Sequence, residues 1–358
     1  MPIFMDRHDV SDATTAENVA QLHQQDLEIQ DQFGCRGLTY WFDGKRKTAF
    51  CLIEAADRDA IVRMHNHAHG QVPHRVIEVD PGIVESFLGR IEDPDKTGNT
   101  DLIIIDEPAF RIIMVLRFKR QSLDDKFAIP SYEYISIATD AFNNTEGSIV
   151  KQTEAGFLVS FKSVTNAVNA GSLIQAGFMN SSRGEVAMKM ALSAGVPVTE
   201  RQSLFEDAKK SAERMCLVVP GEIIVTSEVR DLYNSENIMP LQEGKLLRAI
   251  SPNEERFLNG IFDYMDINWK KTGLKIDDLR KSLGYSRSQL YRLIILLTGQ
   301  SPNNFINEYR LSKALTLLRK GSNNITEVAF ESGFSDLSYF SKCFQKKYGH
   351  LPSRHLIH

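Results

Sequence analysis

The feature that most constrains this fold lies near the C-terminal end, where an apolar helical pattern meets a glycine and a second helical pattern follows at once. The glycine is Gly333, and glycine ends helices readily because it adopts the left-handed backbone conformation at little cost. Phe340, Phe344 and Tyr348 then recur every four residues and therefore share one buried stripe. This segment is predicted to fold as two packed helices joined by a tight turn.

The same pattern occurs once more, earlier in the chain, around Gly284. Ser286 and Gln289 have the spacing of a capping box, which predicts that the second helix begins at Ser286. In the later copy, Ser335 is the expected N-cap of the second helix. A long helix over residues 302–320 is expected to join the two units.

Each second helix carries small, polar or basic residues on its outer face: Arg287, Ser288, Gln289, Arg292, Ser338 and Lys342. Two helices joined by a tight turn, with such a face, form a helix-turn-helix unit, whose second helix enters the major groove of DNA. Arginine and lysine recognise guanine or phosphate, and serine and glutamine reach base edges. These six residues are therefore predicted to contact double-stranded DNA.

Residues 329–352 match the pattern A-x-x-x-G-F-x-x-x-x-Y-F-x-x-x-F-x-x-x-x-G-x-x-P at every fixed position. This run resembles the DNA-binding domain of AraC-type transcription regulators, and the resemblance covers roughly residues 255–355. It implies a sequence-specific, all-α DNA-binding domain with tandem helix-turn-helix units, which we place at residues 253–358.

The charge distribution supports this interpretation. The chain contains 42 Lys and Arg residues and 46 Asp and Glu residues, a net charge of −4. Residues 253–358 hold 16 of the basic and 10 of the acidic residues, so this segment carries +6 and the remainder −10. A basic domain on an acidic body is typical of a phosphate-binding module attached to a sensor. DNA binding is therefore expected to weaken steeply with salt.

The first 81 residues alternate between strand and helix patterns. Strands are predicted over residues 3–8, 36–42, 48–54 and 75–79, and helices over 14–32 and 58–69. This βαββαβ order predicts a ferredoxin-like α/β sandwich. Such half-open sheets commonly bury their free face by dimerisation, so a homodimer is expected.

Three histidines end the second of these helices. His65 and His69 are four residues apart and project from one helix face, which lets two imidazole nitrogens reach one metal ion. His67 and His8 are further candidate ligands. Imidazole suits nickel, zinc, copper and iron, and the spacing does not choose among them. The alternative is that these histidines are solvated and interact only with the negative end of the helix dipole.

The same segment resembles a family of small ferredoxin-like nickel-binding proteins, whose second helix carries H-x-x-x-H-G. His65, His69 and Gly70 match that motif. The resemblance covers roughly residues 1–81 and implies a divalent transition metal as cofactor, nickel first, with zinc, copper or cobalt as alternatives. It leaves the ligand set open, and the candidates are His65, His67, His69 and His8.

Residues 108–235 resemble a class III nucleotide cyclase domain, which is also a ferredoxin-type α/β fold. That family holds metal ions with two aspartates. This chain has basic residues, Arg117 and Lys119, near the first position and Glu154-Ala155-Gly156 near the second. Arg214 matches the family's transition-state arginine. The domain is therefore predicted to be a degenerate, non-catalytic cyclase fold that serves dimerisation, ligand sensing or signal relay.

The chain as a whole is predicted to be α+β, with three domains in the order described. It contains no apolar run of membrane-spanning length and begins without a signal-peptide pattern, and its four cysteines are scattered, so a cytoplasmic protein is expected. The predicted function is a DNA-binding transcription regulator controlled by a divalent metal or another ligand. The alternatives are a metal-storage protein whose tail binds partner proteins, and a nucleotide cyclase with a DNA-binding tail.

Overall fold

The computed structural model describes residues 1–94, 102–120, 132–181, 186–219, 223–244, 247–320 and 324–355. The polar sequence of residues 93–100, with one proline and one glycine, predicts a loop or linker, and its residues 95–100 lie outside these ranges. The sequence also predicts a strand over residues 221–226, of which residues 221 and 222 lie outside them. No helix in the described ranges has the length and hydropathy needed to cross a bilayer.

The N-terminal segment folds in the predicted βαββαβ order and adds one short helix. Its elements are β1 (Ile3–Asp9), α1 (Ala16–Ile29), β2 (Arg36–Asp43), β3 (Thr48–Glu54), α2 (Arg58–Ala68), β4 (Arg75–Val79) and α3 (Pro81–Leu88). The strands form an antiparallel sheet in the order β2-β3-β1-β4. The additional helix α3 begins with Pro81 after the N-cap Asp80, a favourable helix start.

The two faces of this sheet pack against different partners, because side chains alternate along each strand. Phe4 and Cys51 belong to the core beneath α1 and α2. Met5 and Leu52 face the other way and pack with residues of the middle segment, including Phe205. The sheet face that was expected to be free is therefore covered within the chain. A homodimer is not needed to bury it.

The middle segment is a second α/β unit, built on a six-stranded sheet. Its elements are β5 (Arg111–Arg120), α4 (Tyr132–Asn144), β6 (Ser148–Thr153), β7 (Gly156–Phe161), α5 (Val164–Ser181), β8 (Val186–Gly195), α6 (Glu206–Val218), β9 (Ile223–Thr226), α7 (Ser227–Glu236) and β10 (Leu247–Ile250). The sheet order is β10-β9-β8-β5-β7-β6, and the pairs β8–β9 and β9–β10 are parallel. Helices α4, α5 and α7 cover one face.

The C-terminal segment is entirely helical. It comprises α8 (Pro252–Asn268), α9 (Ile276–Leu283), α10 (Arg287–Thr298), α11 (Pro302–Arg319), α12 (Ile325–Glu331) and α13 (Leu337–Tyr348). The two predicted helix pairs are α9–α10 and α12–α13, with α11 between them as predicted.

The two pairs have separate cores. Helices α8 to α10 and the first half of α11 share one core with the middle sheet, in which Ile294 and Phe257 lie with Val115 and Ile224. The second half of α11 packs with α12 and α13 in a core of its own around Phe340. The first pair is therefore built into the body, and the second is joined to it through α11.

The helix starts confirm one capping prediction and correct the other. Ser286 and Gln289 form the expected capping box at the start of α10. At the start of α13, however, the N-cap is Asp336, whose Oδ1 accepts a hydrogen bond of 2.6 Å from the amide of Tyr339. The prediction for Ser335 is wrong by one residue, because the extended backbone conformation that a cap requires falls at Asp336.

The two turn glycines should respond differently to alanine. Both have left-handed backbones, with φ of +73° at Gly284 and +79° at Gly333, so Gly284→Ala should cost about 1–2 kcal/mol of stability. A Cβ at residue 333 would also lie 2.6 Å from the backbone oxygen of Trp269, whereas nothing lies within 4 Å at residue 284. Gly333→Ala should therefore lower the free energy of unfolding distinctly more, as measured by urea denaturation, and equal losses would contradict this packing.

Candidate metal centre and nucleic-acid interface

Five side chains with metal-binding chemistry converge between the N-terminal sheet and its helices. Asp6 and His8 lie two residues apart in β1, so their side chains are on the same face of the sheet, the one that faces α1 and α2. His65 and His69 lie one turn apart at the end of α2, as the sequence predicted. Asp26 reaches them from α1. All of them except Asp6 border a cavity of about 500 Å³ that is also lined by Cys51 and His74.

Asp26, His65 and His69 form the tightest group. The carboxylate of Asp26 lies 3.1 Å from Nδ1 of His65 and 3.2 Å from Nε2 of His69. The two ring nitrogens are 3.4 Å apart. All three side chains are buried, since the most exposed of them retains only 6% of its accessible surface. Three donor atoms therefore surround one point at nearly equal spacing.

His65 is held at both ring nitrogens. Nδ1 contacts Asp26, and Nε2 lies 2.9 Å from Oδ2 of Asp6. Burial by itself lowers the pKa of His65, but the hydrogen bonds and charges of Asp26 and Asp6 outweigh burial and raise that pKa to about 10. In turn, despite a burial effect that raises it, the pKa of Asp6 is held well below its usual range by His8 and His65. Without a cation, His65 is thus a buried imidazolium between two carboxylates.

The other two predicted ligands, His8 and His67, differ in their position relative to the cluster. His8 lies beside the cluster, with Nε2 3.4 Å from Oδ1 of Asp6. His67, in contrast, is exposed on the outer side of α2, with its ring 5.6 Å from that of Phe33 between centroids. The structure therefore brings together His65, His69 and His8 but not His67.

The spacing of the Asp26 group fits a metal ion. Donor atoms about 2.0–2.2 Å from a tetrahedral or octahedral cation lie roughly 2.9–3.6 Å from one another, and the three separations above fall within that range. Asp6 would orient His65 through its second nitrogen, an arrangement common at metal sites. Asp26, His65 and His69 could therefore hold a divalent transition metal through two imidazoles and one carboxylate.

Sequence reasoning missed three of the polar residues here: Asp6, Asp26 and Cys51. A signal existed for Asp6, since it lies two residues before His8 in a predicted strand and must share its face. Asp26 and Cys51 carried no such signal, because only the packing of α1 and β3 brings them near β1.

The residues predicted to contact DNA lie on the outer faces of α10 and α13. Arg287, Ser288, Arg292, Ser338 and Lys342 are all exposed. Among the described residues, no ion pair or hydrogen bond holds the charged groups of Arg287, Arg292 or Lys342. Gln289 is also exposed, but its Oε1 accepts a hydrogen bond of 3.1 Å from the amide of Ser286. In this conformation Gln289 supports the helix start.

Two tyrosines belong to the same surfaces and were not predicted. Tyr291 is 48% exposed and shares an open surface with Arg287, Ser288 and Arg292. Tyr339 on α13 is 50% exposed, and its hydroxyl accepts a hydrogen bond of 2.9 Å from Asn307. Such aromatic side chains would add apolar contact to bases beside the polar groups.

Arg214 does not stand free in a catalytic pocket. Its Nη2 lies 2.6 Å from Asp263 and 3.5 Å from Asp266, and its Nη1 donates to Asn259, all on α8. Arg117 borders a separate cavity of about 150 Å³. The arginine expected to match a cyclase residue thus joins the middle segment to the C-terminal helices.

Comparison with known proteins identifies both ends of the chain. Residues 279–356 match a family described as "Helix-turn-helix domain", and residues 4–79 match "Nickel responsive protein SCO4226-like". The chain is 30% identical to the solved structure of SCO4226 from Streptomyces coelicolor A3(2), covering 22% of this chain and 94% of that one, with a TM-score of 0.21.

Two curated relatives cover more of the chain. An uncharacterised HTH-type transcriptional regulator in the cgkA 5'region of Pseudoalteromonas carrageenovora is 37% identical over 42% of this chain and 86% of that protein. The HTH-type transcriptional activator RhaS of Escherichia fergusonii is 24% identical over 42% of this chain and 54% of that protein. Against other relatives the chain spans as little as 8% of their length. The chain belongs to the AraC-type helix-turn-helix transcriptional regulators, with an N-terminal domain like the SCO4226 nickel-responsive proteins.

Proposed function

We propose that this chain is a sequence-specific DNA-binding transcription regulator whose affinity for its operator is set by a divalent transition metal. The observation that carries the metal part is the Asp26–His65–His69 group, three buried donor atoms spaced 3.1–3.4 Å apart. Two imidazoles and a carboxylate suit nickel, zinc, copper and cobalt. Nickel is our first choice, because the segment matches the nickel-responsive family.

The DNA part rests on the two exposed recognition surfaces. We assign Arg287 and Arg292 on α10 and Lys342 on α13 to guanine or phosphate, and Ser288 and Ser338 to base edges. Gln289 joins them only if it leaves its capping bond. The 18-residue helix α11 spans about 27 Å, so the two units can reach successive major grooves, about 34 Å apart, on one face of the duplex.

A continuous set of polar contacts supports control of one site by the other. Arg7, between Asp6 and His8 on β1, reaches the carbonyl oxygen of Val198 at 3.4 Å. Three residues further along, Arg201 lies 3.5 Å from Asp263 of α8.

The same contact region continues into the DNA-binding helices. Asp263 also pairs with Arg214. The next acidic residue of α8, Asp266, contacts Tyr309 and Lys313 of α11. A shift of β1 on metal binding would thus reach both helices that position the DNA-reading units. Any such coupling must be reciprocal, so DNA would raise or lower metal affinity by the same factor.

The remaining assignments follow from this proposal. A regulator of chromosomal DNA works in the cytoplasm. The middle domain serves as a scaffold and relay rather than as a cyclase, in keeping with Arg214 being paired with α8. Homodimerisation stays a prediction, and it would need a surface other than the covered face of the N-terminal sheet.

The direct test is operator selection from random duplex DNA, using the full chain with nickel and with chelator. We expect one enriched sequence and an affinity that differs at least tenfold between the two conditions. Folded protein that enriches no sequence would overturn the DNA part. Equal affinities, with nickel shown to be bound, would overturn metal control and favour metal storage.

Metal binding should release protons and weaken in acid. Because the pKa of His65 is raised to about 10, this residue is protonated at pH 7 when no cation is bound, and coordination through Nδ1 requires that proton to leave. Affinity should therefore rise about tenfold per pH unit for each proton released, up to a pH near that pKa. Calorimetry in buffers of different ionisation enthalpy measures the released protons, and a pH-independent affinity would contradict this protonation state.

A further inference from the structure

We propose that the N-terminal domain holds a second transition-metal position, formed by Asp6 Oδ1, His8 Nε2 and Cys51 Sγ. These three donor atoms lie within 4.8 Å of one another. They belong to two neighbouring strands, and all three side chains face the helices. The position deepens the proposed metal function but requires none of its DNA-binding part.

His8 supplies an observation that points to a ligand. Its Nε2 is buried, and its contact with Asp6 Oδ1 at 3.4 Å has an ion-pair distance but does not meet hydrogen-bond geometry. A buried polar atom without a hydrogen bond is costly. Coordination of a cation would satisfy it.

The second position is separate from the Asp26 group, yet linked to it. Asp6 uses Oδ2 for His65 at 2.9 Å, which leaves Oδ1 facing His8 and accepting the Cys51 amide at 2.9 Å. One oxygen can therefore orient a ligand of the first metal while the other binds the second. Filling one position then fixes a carboxylate that the other needs.

The geometry requires only small adjustments. Donor atoms about 2.0–2.3 Å from a tetrahedral cation are roughly 3.3–3.8 Å apart, so the present spread of up to 4.8 Å must contract by about an ångström. Cys51 and His8 border the 500 Å³ cavity, which has room for water as a further ligand. One nitrogen, one sulfur and one oxygen donor favour nickel, zinc, cobalt or copper over magnesium or calcium.

Cobalt titration of the full chain tests this position. A thiolate bound to Co²⁺ gives an absorption band in the near ultraviolet, and imidazole or carboxylate ligands do not give this band. We expect two Co²⁺ per chain and a thiolate band. Cys51→Ser should lose the band and bind one Co²⁺. Cys35→Ser, which removes another buried cysteine of this domain, should keep both.

His8→Gln provides a second variant that leaves the sulfur in place and should also reduce the stoichiometry to one. A single Co²⁺ without a thiolate band in the unaltered chain would overturn the proposal, as would a band that survives Cys51→Ser. His69→Ala separates the two proposals, since it should remove the Asp26 position and leave the thiolate band. Two bound Co²⁺ with no effect on DNA affinity would leave this inference standing and reject metal control.

Discussion

His69→Ala is expected to remove the metal dependence of DNA binding and to weaken nickel binding at the Asp26 group by roughly a hundredfold or more. Loss of a partner that merely orients a ligand already costs 10–100-fold, and here a donor atom itself is lost. His69 is a better target than His65, because removing His65 would take away the imidazolium that lies between the buried carboxylates of Asp6 and Asp26. Such a change destabilises proteins by about 3–5 kcal/mol. Nickel titration followed by DNA-binding anisotropy measures both effects.

The same helix supplies a matched control. His67 lies two residues from His69, is exposed, and stays outside the cluster. His67→Ala should therefore bind nickel and DNA like the unaltered chain. If His67→Ala lost nickel while His69→Ala retained it, the proposed ligand set would be wrong, and the sequence-based choice of His67 would be restored.

Arg292→Ala is expected to weaken binding to the selected operator by about 1–3 kcal/mol, roughly 5- to 150-fold, if the guanidinium reads a base. Its side chain is exposed on α10 and has no ion pair within the described part of the chain. Specificity at one operator position should relax at the same time. A phosphate contact would instead weaken all sequences equally and reduce the salt dependence by about one counterion.

Arg58→Ala controls for the loss of one positive charge. Arg58 is exposed at the start of α2, in the metal-binding domain and outside the reading helices. Its removal should change operator affinity by no more than a small, salt-dependent factor. Equal losses for Arg58→Ala and Arg292→Ala would mean that only net charge matters and that α10 does not read DNA.

Local patterns predicted the helices and strands well, because they depend on periodicity and on turn residues near in sequence. Gly284 and Gly333 fixed both tight turns, and the four-residue spacing of His65 and His69 placed both rings on one side of α2. Asp26 could not be anticipated in the same way, because its approach to His65 depends on how α1 packs across the sheet.

Contacts between domains were the least predictable part. The sheet face that was predicted to be buried by a second chain is covered by the middle segment through residues such as Phe205. Arg214, chosen by its resemblance to a catalytic arginine, instead pairs with Asp263. Neither contact leaves a periodic signal, since each joins residues far apart in the chain.

The division of the C-terminal helices into two cores has a kinetic consequence. Once α10 occupies its groove, α11 keeps α13 within one helix length of the next groove, so the second contact forms at a high effective concentration. A brief release of either unit is then followed by recapture, and complete dissociation requires both to be free at once. When either unit is impaired, the residence time on the operator should consequently fall far more than the association rate. A small shift of one unit relative to the N-terminal and middle segments would therefore be enough to turn a long-lived complex into a short-lived one.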